Sequence, residues 1–129
     1  MIANFLKMII VCGGKGKRMG KITKKIPKPL IKIARKPIID HKTDYYKSQG
    51  INEFIFCLGY KSQILKNHLK KKLKNCKFDI AEVNTGILKR IYLVKDLITS
   101  PTLISYGDTL AKINFKRLIK SHKESKCTM

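Results

Sequence analysis

Acidic side chains are scarce in this chain: eight Asp and Glu stand against 29 Lys and Arg in 129 residues, a formal net charge of +21. Arginine is scarce too, with only Arg18, Arg35, Arg90 and Arg117 among 25 lysines. Readers of base edges and bidentate phosphate clamps favour the planar guanidinium, and the lysines are spread along the whole chain. The charge therefore predicts weak, salt-sensitive adhesion to polyanions and argues against specific nucleic-acid recognition. No apolar run approaches the roughly 20 residues that span a bilayer. The four cysteines, Cys12, Cys57, Cys76 and Cys127, form no C-x-x-C pair, and His41, His68 and His122 are scattered, so this spacing builds no zinc site. Neither G-x-x-x-x-G-K-[ST] nor G-x-G-x-x-G occurs, which excludes a Walker A loop and the dinucleotide fingerprint.

What is present is a foldable chain. Apolar residues make up 43% of it, too many for a disordered tail, and the length suits one domain with its own core. The stretch Met1 to Cys12 is apolar, yet it has no basic leading region, Lys7 interrupts it, and no small-residue cleavage site follows. This predicts a short extension over residues 1–6 and a buried first strand rather than a signal peptide, and a cytoplasmic location.

Strand and helix patterns alternate. Lys7 to Cys12 is a continuous apolar run ending in glycines, as a buried parallel strand reads. Residues 13–29 read as a long Gly, Lys and Pro loop, and Leu30 to Ile33 as a short extended piece. Pro37 suits the first turn of a helix that reaches about Gln49 and stops at Gly50. Glu53 to Leu58 is the second strand. Ser62 reads as the N-cap of a helix through about Leu73, with Ile64, Leu65, His68, Leu69 and Leu73 on one face. Lys66, Lys70, Lys71, Lys72 and Lys74 then form a solvated opposite face. Phe78 to Val83 is a third strand, and Gly86 to about Ile98 a helix with Leu88, Ile91, Tyr92 and Lys95 at helical spacing. Thr102 to Tyr106 is a fourth strand. Asn114 caps a last helix to about Lys123, and Cys127-Thr128-Met129 reads as the opening of another strand. This alternation predicts an α/β fold with a mainly parallel sheet and ligands at the carboxyl ends of its strands.

Three motifs fall at that edge or beside it. Gly13-Gly14-Lys15-Gly16-Lys17-Arg18-Met19 follows the first strand, and a glycine-rich turn there exposes backbone N–H groups as a phosphate nest. Arg18 adds a fork matched to phosphate oxygens. Ten residues on, Ile26-Pro27-Lys28-Pro29-Leu30 holds one lysine in stiff, extended backbone. Ser105-Tyr106-Gly107-Asp108 puts a rare carboxylate just past a strand end, a candidate for holding Mg2+ on a triphosphate. Taken singly, each also reads as an ordinary turn or loop.

Together, G-G-K-G-x-R-M, I-P-K-P-L, R-K-P-I-I-D-H with S-Q-G-I-N-E-F-I and L-G-Y-K, and then Y-G-D resemble the sugar-1-phosphate nucleotidylyltransferases, in order and spacing, over residues 7–129. The resemblance implies a Rossmann-like three-layer fold and an enzyme that joins a nucleoside triphosphate to a sugar 1-phosphate, releasing pyrophosphate. It implies that Cys12, Gly13, Gly14 and Gly16 lie on the nucleotide, that Arg18 and Lys28 are the catalytic cations, and that Asp108 holds Mg2+. The stretch Val83-Asn84-Thr85-Gly86-Ile87-Leu88-Lys89-Arg90 is similar to the T-G-G-R-L-K-R element of the glucose-1-phosphate cytidylyltransferase branch, which implies that Thr85 faces the base and Arg90 the substrate.

The chain departs from the family pattern at Lys17, where Thr or Ser is common, and at Cys12, where Ala is usual. The connection after the third strand is shortened. Family members continue beyond the point that matches Met129, so the resemblance implies the N-terminal, nucleotide-binding portion of such an enzyme. A sugar pocket and a second metal carboxylate are expected in the missing C-terminal half, the chain being a fragment, a truncated gene product or one half of a split enzyme, and a homo-oligomer is an open expectation beside it. The rival expectations are a nucleotide-binding domain with weak turnover and a basic nucleic-acid-binding protein. No membrane partner is expected.

Overall fold

The computed structural model describes residues 6–125. The expected extension therefore lies outside the described residues except for Leu6, which is buried. The strand expected at Cys127-Thr128-Met129 lies outside them as well.

Four strands form a wholly parallel sheet: β1 (Lys7–Cys12), β4 (Glu53–Leu58), β5 (Cys76–Ile80) and β6 (Thr102–Tyr106), in the order β5-β4-β1-β6. A small hairpin, β2 (Lys32–Ile33) with β3 (Lys36–Pro37), stands apart from it. The two residues of its turn, Ala34 and Arg35, both have positive φ (49° and 64°), the geometry that suits a tight two-residue hairpin. The helices are α1 (Ile22–Lys25), α2 (Ile38–Ser48), α3 (Ser62–Lys72), α4 (Ile87–Leu93) and α5 (Phe115–Ser125). None of these described helices is long and apolar enough to cross a membrane.

Alternation along the central strands splits the core in two. Met8, Ile10 and Cys12 of β1 join Phe54, Phe56 and Leu58 of β4 and pack against Ile39, Leu65, Leu69, Phe115 and Ile119 of α2, α3 and α5. Ile9, Val11, Ile55 and Cys57 point the other way, onto Val94 and Leu97. The sheet is thus covered on both faces, the reason β1 and β4 read as unbroken apolar runs. A polar clasp joins α2 to α3: buried Asp40 accepts from His68 Nε2 at 2.7 Å and pairs with Lys72 Nζ at 3.1 Å.

The observed α/β, Rossmann-like fold matches the expected class, and β1, β4 and β6 fall where the sequence put them. Other elements differ. The loop over 13–29 contains a 3-10 turn at Lys17–Met19, the short α1, and a second 3-10 turn at Lys28–Leu30 that absorbs the start of the expected extended piece. The third strand ends at Ile80 rather than Val83 because the chain turns away from the sheet there: the carbonyls of Glu82 and Val83 accept from the Arg90 guanidinium at 2.8 and 3.3 Å.

Ser62 is the first residue of α3 and makes no capping bond. Lys61, in the left-handed region at φ 48°, takes the cap position. The helix after residue 86 stops at Leu93 and continues only as a 3-10 turn, Lys95–Leu97, whose last carbonyl accepts from Lys7 Nζ at 3.0 Å. Its inward face carries Arg90 and Val94, while Leu88 is 84% exposed. Asn114 does cap α5, its Oδ1 accepting from the Arg117 amide at 3.0 Å.

Candidate active site

From β1 the chain moves outward through β4 to β5 and then returns to the other side of β1 as β6. The strand order therefore reverses between β1 and β6, and open α/β sheets bind ligands in the crevice outside such a point. The loops that leave β1 and β6 are the glycine-rich loop and Gly107-Asp108. A cavity of about 430 Å3 lies there. Cys12, Gly13, Gly14, Gly16, Lys28, Thr85, Arg90 and Asp108 all line it. Arg18 does not: it is exposed on the 3-10 turn that flanks the cavity.

Two glycines shape the nest for separate reasons. At Gly13 a Cβ would come within 2.2 Å of Arg90 Cζ, so the backbone lies directly on a guanidinium. Gly16 sits at φ 61°, where a side chain is strained, and its own Cβ would press on Thr23 Cγ2 at 3.1 Å. Thr23 and Tyr60 hold the loop from behind. Thr23 Oγ1 lies 3.1 Å from the carbonyls of both Gly16 and Gly20. Tyr60 donates its amide to the Gly13 carbonyl at 3.1 Å and its hydroxyl to the Thr23 carbonyl at 2.7 Å. Sequence reasoning missed both residues. The available signal was the position of Tyr60 just past the end of β4, at the ligand edge.

Across the cavity, Lys28 Nζ pairs with Asp108 Oδ2 at 2.7 Å, each side chain about one-third exposed. The two motifs that carry these residues, 80 positions apart in sequence, are thus brought together by the β1–β6 adjacency. An ammonium and a carboxylate in contact beside a glycine-rich loop have a chemistry that can exchange partners: the ammonium for phosphate oxygens, the carboxylate for a divalent cation. Asp108 is a single carboxylate, and among the described residues no group of three or more His, Cys, Asp or Glu could hold a metal by itself. That suits Mg2+, which uses one or two carboxylates plus substrate phosphates.

Arg90, expected to face substrate, lines the cavity and is held there by main chain. Arg90 is buried, its Nε donates to the Thr85 carbonyl at 3.0 Å, and Nη1 donates to the Leu58 carbonyl at 2.6 Å. With Nη2 on Glu82 and Val83, the fork is spent on main chain. It shapes the cavity wall from beneath the glycine loop.

The lysine run on α3 is likewise partly spent on structure. Lys66 Nζ lies 5.6 Å from the Phe78 ring centroid, and Lys72 bridges Asp40 and Asp44.

The Cys12 thiol is buried against Gly107, and burial, followed by the nearby Cys57, pushes it well above the ordinary thiol range. Burial and the Asp79 carboxylate push Cys57 up to about 11. Both should therefore resist iodoacetamide at pH 8 in the folded chain and react in urea, read by mass spectrometry of the labelled peptides. The sign for stability follows: the unfolded thiols ionise above their ordinary value of 9.0 while the folded ones do not, so stability falls as pH rises beyond that point. Rapid labelling of native Cys12 would contradict this placement.

Comparison with known proteins agrees with the geometry. Residues 7–129 match the Nucleotidyl transferase family. The "Probable glucose-1-phosphate cytidylyltransferase" of Bacillus subtilis is 37% identical, the match covering 92% of this chain and 56% of that protein. The D-glycero-alpha-D-manno-heptose 1-phosphate guanylyltransferase of Campylobacter jejuni is 31% identical over 88% of this chain and 52% of that protein. Among solved structures, HddC from Yersinia pseudotuberculosis, complexed with GMP-PN, superposes with a TM-score of 0.75 at 28% identity, covering 90% of this chain and 53% of that one. The chain spans about half the length of these relatives. With motifs, fold and relatives in agreement from β1 onward, the chain belongs to the Nucleotidyl transferase family.

Proposed function

We propose that this chain is the nucleotide-binding part, residues 7–129, of an enzyme that joins a nucleoside triphosphate to a sugar 1-phosphate, with CTP and glucose 1-phosphate favoured. The observation that carries this reading is the Lys28–Asp108 pair facing the glycine nest across the β1–β6 crevice. The amides of Gly13, Gly14 and Gly16 cradle the phosphates, with Cys12 packed beneath them. Lys28 neutralises the reacting phosphate. Arg18, on the flanking turn, meets the outer phosphates and the pyrophosphate that leaves. Thr85 faces the base.

An oxygen of the sugar 1-phosphate attacks the α-phosphorus, a new P–O bond forms, and the bond to the β-phosphate oxygen breaks in line with it. Pyrophosphate departs with that electron pair. The attacking oxygen is already anionic, so no protein base is needed, and positioning with charge neutralisation does the catalytic work. Asp108 is the residue that would hold Mg2+, and the ion, when bound, supplies further neutralisation of the triphosphate.

Support for CTP comes from the cytidylyltransferase among the relatives and from the Thr85–Arg90 stretch. The guanylyltransferase relative makes GTP the competitor to test. Pyrophosphate release should be fastest with CTP and glucose 1-phosphate. Release with GTP at equal or greater rate would overturn the base assignment, and nucleotide binding without release from any triphosphate and sugar phosphate pair would make this chain a nucleotide-binding domain that does not turn over by itself.

A further inference from the structure

Lys42 is 4% exposed on the inner face of α2, and of the described lysines it alone is buried. Its Nζ donates to the Thr109 carbonyl at 2.6 Å and lies 3.3 Å from Thr109 Oγ1. The same ammonium stands 5.3 Å from the centroid of the Tyr46 ring. One turn along α2, the Tyr46 hydroxyl meets Ser105 Oγ at 2.8 Å. Helix α2 therefore grips the chain on both sides of Gly107-Asp108. On the sheet side the Gly107 amide donates to the Val11 carbonyl at 2.9 Å, closing the hold.

An ammonium is expensive to bury, and an apolar side chain of similar size would fill the same space without that cost. What the ammonium adds is one fixed main-chain carbonyl, in the residue after Asp108. We propose that Lys42 is a positioning residue that holds the loop after β6 so that Asp108 stands against Lys28 across the nest. The inference rests on the reading of Lys28 and Asp108 as the reacting-site pair. In that setting a small displacement of Asp108 costs turnover, because a misplacement of about 1 Å can cost about a hundredfold in rate.

Lys42→Met retains the apolar stem and loses the donor, while Lys42→Arg retains a donor. Amide exchange and pyrophosphate release are measured on both. In Lys42→Met, exchange of the Gly107 amide, which donates to the Val11 carbonyl, should quicken by roughly tenfold or more while the amides of β1 and β4 keep wild-type protection. Turnover should fall roughly 10- to 100-fold with the KM for triphosphate within about threefold. Lys42→Arg should recover much of both losses. Unchanged exchange at Gly107, or equal quickening across all strands, would overturn the positioning role. Should the wild-type chain release no pyrophosphate by itself, turnover drops out of the comparison, and the exchange measurement alone decides whether Lys42 holds the loop.

Discussion

Arg90→Met should lower the unfolding free energy by about 3 kcal/mol or more, seen as a lower urea midpoint with little change of slope. The wild-type guanidinium serves the carbonyls of Leu58, Glu82, Val83 and Thr85 from a buried position. Methionine keeps an unbranched stem of four heavy atoms, without the guanidinium, and supplies no donor. A buried carbonyl that loses its partner costs about 1–3 kcal/mol, and those nearest solvent recover part of that through water. Set against a typical domain stability of about 5–15 kcal/mol, such a loss is large. Arg90→Lys should rescue only a minor part, because a point ammonium cannot reach main-chain acceptors on both sides of the crevice wall. Gly13→Ala attacks the same contact from above, since its Cβ would fall on the guanidinium carbon. A midpoint within error of wild type in Arg90→Met would show that the carbonyls do not depend on this side chain.

Lys28→Met should reduce nucleotidyl transfer by roughly 10²–10³-fold, the usual size for loss of one preorganised charge-stabilising group. The fold should barely respond, because Lys28 and Asp108 are each about one-third exposed and ion pairs of that kind add little stability. Asp108→Asn should have a similar effect on rate and should raise the Mg2+ concentration needed for half-maximal turnover. The double variant should lose much less than the product of the single losses, because the two groups are in contact. Wild-type rates in Lys28→Met would remove this residue from the reaction. A melting transition lowered as much as in Arg90→Met would make its role structural.

The legible parts of the sequence were those governed by local chemistry. β1 and β4 were plain because strands covered on both faces are apolar without alternation, and glycines ended them. Asp108 stood out because so few carboxylates compete for notice. The 3-10 turns and α1 within residues 13–29 were hidden, since Gly, Lys and Pro permit a long loop equally well. What sequence could not show was partnership at a distance. No local signal tells that Arg90 also serves the Leu58 carbonyl, 32 residues away. The early end of β5 follows from that capture. Lys42 is one lysine among 25, and only its burial beneath the loop after β6 separates it from the rest. Ser62 has the composition of a cap, yet the left-handed Lys61 turns the chain into α3 and leaves it no capping role.

The central claim is that a nucleoside triphosphate sits in the β1–β6 crevice. The most direct measurement is a titration of the isotopically labelled chain with CTP, followed through backbone amide shifts at physiological salt. The amides of Gly13, Gly14, Gly16, Thr85 and Asp108 should move together and saturate at one site, and Lys28→Met should weaken that response. Shifts confined to the lysine face of α3 that fade as salt rises would instead reveal non-specific attraction of a polyanion to a basic surface, and would contradict the account.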